Sequence, residues 1–252
     1  MFAYYSSLSS EVYDLDKPIG HSFGDVEYYT ERLKGCKGQI LEPATGTGRI
    51  LIPLLEQGFQ VEGFDISTEM LEHCKRNCAE RGLAPKLSIE RMETFKTDTR
   101  YEAIIIPTGT FLLLHERESS IRALQNFYDH LQDGGRLIVD LIFETDMELG
   151  KVSERFWESP NGDVLTVEHR KVKIDWIHQY SVAHNRYERW RDGKLVESEL
   201  ERMPIRWYGV EEFKAVLEKI GFTDITVSAN YQYGEKPTNG DQLISFEAIA
   251  NK

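Results

Sequence analysis

The sequence predicts an α/β chain built on a parallel sheet and interrupted late by a block of antiparallel strands. Three observations carry this. Short apolar runs alternate with helical stretches from residue 40 to residue 143, the pattern of βαβ units. The first strand, Ile40-Leu41-Glu42, opens into a glycine-bearing turn, Pro43-Ala44-Thr45-Gly46-Thr47-Gly48, and Asp65 follows nineteen residues after Gly46. Residues 151–205 then break the alternation with strand-like composition and hairpin signals.

The elements follow in order. Residues 1–35 read as helical, with Val26–Leu33 free of breakers and Gly35 and Gly38 ending the run. After the first strand, Ile50–Gln57 is a helix closed by Gly58, and Gln60–Phe64 is the second strand. Ser67 is a candidate N-cap for a helix over Thr68–Arg81, which Gly82 ends. Leu87–Arg91 is the third strand and Tyr101–Pro107 the fourth, with the apolar centre Ala103-Ile104-Ile105-Ile106. Ser119–Leu131 is a helix and Arg136–Phe143 the fifth strand. In the interrupting block, Val164–Val172, Trp176–Trp190 and Lys194–Arg202 read as strands. Asn161-Gly162-Asp163 and Asp192-Gly193 are the turns, giving three or four antiparallel strands. Phe222–Ala229 and Leu243–Ala250 are two last strands around a loop, Gly234–Gly240, expected to be mobile. The chain divides into an α/β unit, residues 1–143 and 206–252, and an inserted β cover, residues 144–205.

The turn after the first strand points to an adenosine-bearing cofactor. Glycines there let the backbone approach a ligand, and an acid at the end of the second strand points at a ribose diol. A dinucleotide fingerprint wants a third glycine where this chain has Leu51. Glu42 would repel a pyrophosphate and attract an ammonium. The combination Glu42-x-Ala44-x-Gly46-x-Gly48 therefore favours S-adenosylmethionine over a nicotinamide dinucleotide.

Further segments carry the same pattern. Phe64-Asp65-Ile66-Ser67-Thr68-Glu69-Met70-Leu71, Leu131-Gln132-Asp133-Gly134-Gly135-Arg136-Leu137, and Trp207–Phe213 with Leu217–Phe222 stand in a consistent order and spacing. With the Glu42–Gly48 turn, they resemble the motifs of class I S-adenosylmethionine-dependent methyltransferases, over about residues 38–141 and 206–250. The resemblance implies a Rossmann-like fold: a mostly parallel seven-stranded sheet with helices on both faces and an antiparallel hairpin at one edge. It implies S-adenosyl-L-methionine as cofactor, held by Glu42, Ala44, Gly46, Gly48, Asp65, Ile66, Met70, Met92, Glu93 and Thr108. The family often has an acid after strand three. Here Arg91 stands in its place, with Glu90, Glu93, Met92 or the backbone left to meet the adenine. Tyr13 resembles a tyrosine in an N-terminal lid. His115, close in sequence to the fourth strand, is a candidate base. No catalytic residue is assigned beyond these two candidates, because methyl transfer needs orientation more than an enzymic nucleophile. An antiparallel cover after strand five resembles small-molecule methyltransferases, amino-sugar N-methyltransferases among them. The other readings are a nicotinamide-dependent oxidoreductase and a non-catalytic S-adenosylmethionine-binding module.

Composition narrows the partners. The chain has 252 residues, 40% hydrophobic and 29% charged, as expected of a globular protein. Its net charge of −12 argues against nucleic acid as substrate, although residues 151–205 are internally neutral with ten basic and ten acidic side chains. No apolar run approaches the ~20 residues of a membrane span. The start, Met1–Ser7, lacks a secretory pattern. Three cysteines, Cys36, Cys74 and Cys78, suggest a reducing cytoplasm. His73, Cys74 and Cys78 lack a second ligand pair at zinc-like spacing, so no metal is expected. Trp157, Trp176 and Trp190 in the insertion suit either a cover gripping a small acceptor or a homodimer interface.

Overall fold

The computed structural model describes residues 5–252. The helical reading of residues 1–35 begins on residues 1–4, as does the reading of the start against secretion; those four lie outside the described residues. Helices α1 (Ser7–Asp16) and α2 (Asp25–Arg32) come first. The expectation of one helical stretch is corrected here. The segment between them contains Pro18 and two glycines in the left-handed region, Gly20 and Gly24, so the chain turns before restarting.

The alternation then runs β1 (Ile40–Pro43), α3 (Leu51–Glu56), β2 (Val61–Asp65), α4 (Thr68–Ala79), β3 (Leu87–Ile89), β4 (Tyr101–Ile106), α5 (Arg117–His130) and β5 (Leu131–Ile142). A 3-10 turn, Thr110–Leu113, sits between β4 and α5. Strands β6 (Val152–Glu158), β7 (Val164–Asp175), β8 (Tyr180–Arg191) and β9 (Lys194–Arg206) follow, then α6 (Val210–Ile220), β10 (Phe222–Ala229) and β11 (Leu243–Ala250). The main sheet has the order β10-β11-β5-β4-β1-β2-β3, parallel from β5 to β3, with β11 and β10 antiparallel at one edge. The order reverses between β1 and β4, the position where α/β sheets form a crevice beyond the strand ends.

Period-two alternation on the central strands builds both faces. Ile104, Ile106, Leu137 and Val139 face a core shared with Leu124 and Phe127 of α5 and Phe213 and Leu217 of α6. Ala103, Ile105 and Ile138 face the opposite core with Tyr29, Leu33, Ile52 and Cys74. Burial on both faces is why β4 reads as an unbroken apolar run.

Strands β6 to β9 form a separate antiparallel sheet. The predicted strand from Trp176 is corrected. β7 continues to Asp175 and the turn occupies residues 176–179, so Trp176 stands exposed and edge-on to Trp207 at 5.7 Å. The Asp192-Gly193 turn joins β8 to β9. Helix α1 lies between the second sheet and α4. Leu8, Val12 and Leu15, one stripe at i, i+4 and i+7, pack on Leu165, Tyr187 and Trp157. Its N-terminus has no cap of its own. Instead Glu199 of β9 accepts from Ser6 Oγ at 2.6 Å and the Leu8 amide at 2.9 Å, placing an anion where the helix dipole favours one. On its other side Asp14 accepts from Arg76 at 2.6 Å and Asn77 at 2.9 Å on α4.

Candidate functional site

The β1 turn is held by local bonds and a close approach. Asp65 ends β2 and accepts from the Gly46 amide at 2.9 Å and the Ser67 amide at 2.9 Å. Two of its lone-pair positions are thereby spent, and the others remain for a diol. Ser67 caps α4 as expected, accepting from the Met70 amide at 3.1 Å, and its hydroxyl donates to the Tyr5 carbonyl at 2.8 Å. Leu51 takes the place of the dinucleotide glycine without forcing helix and strand apart, because the space is left by Gly63 on β2. A Cβ there would meet Leu51 Cδ1 at 2.9 Å and Thr45 Cβ at 3.0 Å.

A narrow slot of about 140 Å³ opens over this turn. Ala44, Gly46 and Asp65 line one end; Ile66, Met70, Met92 and Glu93 line it further along. Glu90 and Arg91 are also on its wall. Arg91 does not present a free cation to the slot, since its Nε donates to Glu93 at 3.1 Å. Asn126 of α5 holds this segment by donating to the Met92 and Phe95 carbonyls at 3.0 and 3.1 Å.

Two expected cofactor residues lie behind the wall rather than on it. Gly48 has φ +90°, and a Cβ there would sit 2.9 Å from Cys74 Sγ; it is the seat of the turn on α4. Glu42 is buried and accepts from Thr45 Oγ1 at 3.2 Å. Burial pushes its carboxyl up to about 8, against the opposing pull of the Thr45 hydrogen bond and of Arg49. His73 turns to Asp14 at 3.2 Å, while Cys74 packs beneath Gly48 and Cys78 shares its apolar core.

A second chamber, about 760 Å³, adjoins the slot. Tyr5, Tyr13, Thr110 and Leu113 belong to both walls. Thr108 lines the second chamber, not the first. Burial raises the Tyr13 phenol above its ordinary value although the Arg49 charge opposes this. Arg49 is itself buried, ion-paired with Asp25 and donating to the His21 carbonyl at 3.1 Å. It thus pins the segment between α1 and α2 to the cofactor turn. His115 lies outside both walls: it pairs with Glu116 at 3.1 Å and packs 5.5 Å from the Tyr180 ring. Partial burial lowers its pKa.

The remaining chamber wall was not visible in the sequence. Met203 and Ile205 come from β9, Ile142–Glu144 from the end of β5, Tyr231 from the segment after β10, and Lys17 and Phe23 from around the α1–α2 turn. Of these, only the Asn230-Tyr231 pair between strands carried a local signal, that of a turn. The three insertion tryptophans do not line the chamber. Trp157 packs on α1 and Trp190 belongs to a groove on the far side of the second sheet.

Comparison with known proteins agrees with this architecture. A family model described as a methyltransferase domain matches residues 40–135. A glycine/sarcosine N-methyltransferase of Aphanothece halophytica is 28% identical over 215 residues, covering 84% of this chain and 76% of that one. Among solved structures, an S-adenosylmethionine-dependent methyltransferase from Clostridium acetobutylicum ATCC 824 superposes with a TM-score of 0.76 at 16% identity, over 96% of this chain and 98% of that one. The sugar N-methyltransferase KedS8 from Streptoalloteichus sp ATCC 53650 gives 0.76 at 19% identity, over 100% and 98%.

Proposed function

We propose that this chain, whose residues 40–135 match a methyltransferase-domain model and whose fold is that of S-adenosylmethionine-dependent methyltransferases, methylates the nitrogen of a small amine seated in the 760 Å³ chamber. The observation that carries the reading is the join between slot and chamber. Tyr5, Tyr13, Thr110 and Leu113 line both cavities, so a cofactor held in the slot would meet an acceptor in the chamber there. The relatives add support on the atom methylated, since two are named as N-methyltransferases.

When bound, S-adenosylmethionine would supply a methyl group on a cationic sulfur for in-line attack by the lone pair of the neutral amine, with S-adenosylhomocysteine leaving and the proton of the methylated nitrogen passing to water. The protein's part is binding, orientation and exclusion of water. Asp65 has free lone pairs for the ribose hydroxyls. Ile66, Met70 and Met92 offer apolar surface to the adenine, with Glu90, Glu93 and the backbone beside them for its amino group. The Gly46 turn would receive the methionine moiety, and Glu42, neutral in the free protein, would provide a counter-charge from behind on giving up its proton. Tyr5 and Tyr13, edge-on at 5.9 Å, close the join against water, where orientation contributes ~7–11 kcal/mol in well-aligned systems. No side chain forms a covalent bond. His115 is too far round the 3-10 turn to line either cavity, so we leave it out of the chemistry.

No helix among the described residues is long and apolar enough to cross a membrane. We further propose a cytoplasmic setting and no nucleic-acid substrate, supported by free cysteines and the charge of −12. The outer groove with exposed Phe156 is the place a second copy would dock; sedimentation tests that. The function is tested by calorimetry with S-adenosylmethionine, S-adenosylhomocysteine and NAD, followed by release of S-adenosylhomocysteine across a panel of amines, alcohols and thiols. Tight binding of NAD alone, or turnover confined to alcohols, overturns it.

A further inference from the structure

Asp140 stands in the middle of β5, fully buried, and collects donors from three directions. Its Oδ2 accepts from the Thr108 amide at 2.8 Å and from the Tyr231 hydroxyl at 2.9 Å. Its Oδ1 accepts from Ser245 Oγ at 2.6 Å. Two of these donors, Thr108 and Tyr231, are on the chamber wall. Both hold left-handed backbone, φ +52° and +58°, and Asn230 beside Tyr231 has φ +49°. For a β-branched residue such as Thr108 this is an outlier. Strain of this kind persists where surrounding bonds over-determine the conformation, and it gathers at working sites. Leu243 braces the second turn: its carbonyl accepts from the Asn230 amide at 2.8 Å and its amide donates to Asn230 Oδ1 at 3.2 Å.

A phenol has one proton. Tyr231 gives it to Asp140, so what its oxygen can turn to the chamber is lone pairs. A group seated against it must donate. We infer that Tyr231, held by Asp140, is the specificity residue that selects acceptors bearing an N–H, and that Asp140 is its positioning residue. This rests on the amine reading above and refines it. An N–H donated to Tyr231 Oη turns one face of the nitrogen to the wall and leaves its lone pair free for the methyl carbon. A tertiary amine has no such hydrogen and leaves the oxygen unpaired, which is how polar sites reject analogues. Protonation states agree. Burial raises the Asp140 carboxyl to about 6, so it is ionised at neutral pH. Burial, with the Asp140 charge, raises the Tyr231 phenol well above its ordinary value, so the proton stays on oxygen.

The test uses glycine, sarcosine, glucosamine and other small primary and secondary amines as probes, with N,N-dimethylglycine as the tertiary match. KM and kcat are measured separately by release of S-adenosylhomocysteine, and calorimetry gives the affinity for S-adenosylhomocysteine itself. For the best amine, Tyr231→Phe is expected to lower kcat/KM about tenfold, the size of one lost hydrogen bond, with KM carrying most of the change. Product affinity is expected to stay within about twofold of the parent, because Tyr231 does not line the cofactor slot. The parent is expected to leave dimethylglycine unmethylated, a measurement that stands even if the variant unfolds. Parental kcat/KM in Tyr231→Phe, or methylation of dimethylglycine as fast as glycine, overturns the inference while the amine reading survives. A parent that binds S-adenosylhomocysteine but methylates no amine fails the amine reading, and the inference falls with it.

Discussion

Glu42→Gln separates stability from function at one buried carboxyl. Burial lifts Glu42 from 4.5 to about 8, so in the free protein at neutral pH it is mostly protonated. The folded value lies above the unfolded one. Its stabilising proton uptake is therefore complete below about pH 4.5 and is lost as pH rises to about 8. A shift of about 3.5 units at 1.36 kcal/mol each corresponds to ~5 kcal/mol at the alkaline end. The substituted glutamine mimics the neutral form, and its amide oxygen still accepts from the Thr45 hydroxyl. The variant is expected to match the parent within ~1 kcal/mol near pH 5 and to exceed it by ~4 kcal/mol near pH 8.5 in urea unfolding. Cofactor affinity moves the other way. The methionine ammonium favours ionised Glu42, so binding by the parent should release a proton and tighten as pH rises through 7. The variant should bind more weakly and release none. Calorimetry in two buffers of different ionisation enthalpy reads that proton. A variant with parental stability at both pH values and parental affinity refutes the reasoning.

Three further outcomes are expected. Asp65→Ala removes the acceptor for the Gly46 and Ser67 amides, so it should cost ~1–3 kcal/mol of stability as well as S-adenosylhomocysteine affinity; unchanged calorimetry would reduce Asp65 to a turn residue. Gly48→Ala places a Cβ 2.9 Å from Cys74 Sγ at φ +90° and should destabilise by ~1–3 kcal/mol, with Cys74→Ala in the same chain recovering only the steric part on thermal melting. Met203→Ala should change the acceptor KM without altering cofactor affinity, whereas Trp176→Leu should change neither; a shifted KM in Trp176→Leu would restore the exposed turn to the acceptor site.

The features legible in the sequence are those set by neighbours a few residues apart. The apolar run into the Gly46 turn, the Ser67 cap on α4, the Asp192-Gly193 hairpin and the period of the central strands are dihedral and hydrogen-bond requirements met locally, so residue type reveals them. The resemblance to methyltransferase motifs grouped ten residues as a cofactor set; parallel strands bring their C-terminal ends to one edge, and Ala44, Gly46, Asp65, Ile66, Met70, Met92 and Glu93 line the slot, whereas Glu42, Gly48 and Thr108 do not. What tertiary structure decided has no local signature. Glu199 caps a helix 191 residues away, Gly63 makes room for Leu51 from the neighbouring strand, and Glu42 acquires its proton only by burial. The chamber joins Lys17, Glu144, Met203 and Tyr231, residues with no shared chemistry and no fixed spacing. Their association depends on where α1, the second sheet and the β10–β11 connection pack, and long-range packing, unlike a turn or a cap, leaves no mark in the identity of adjacent residues.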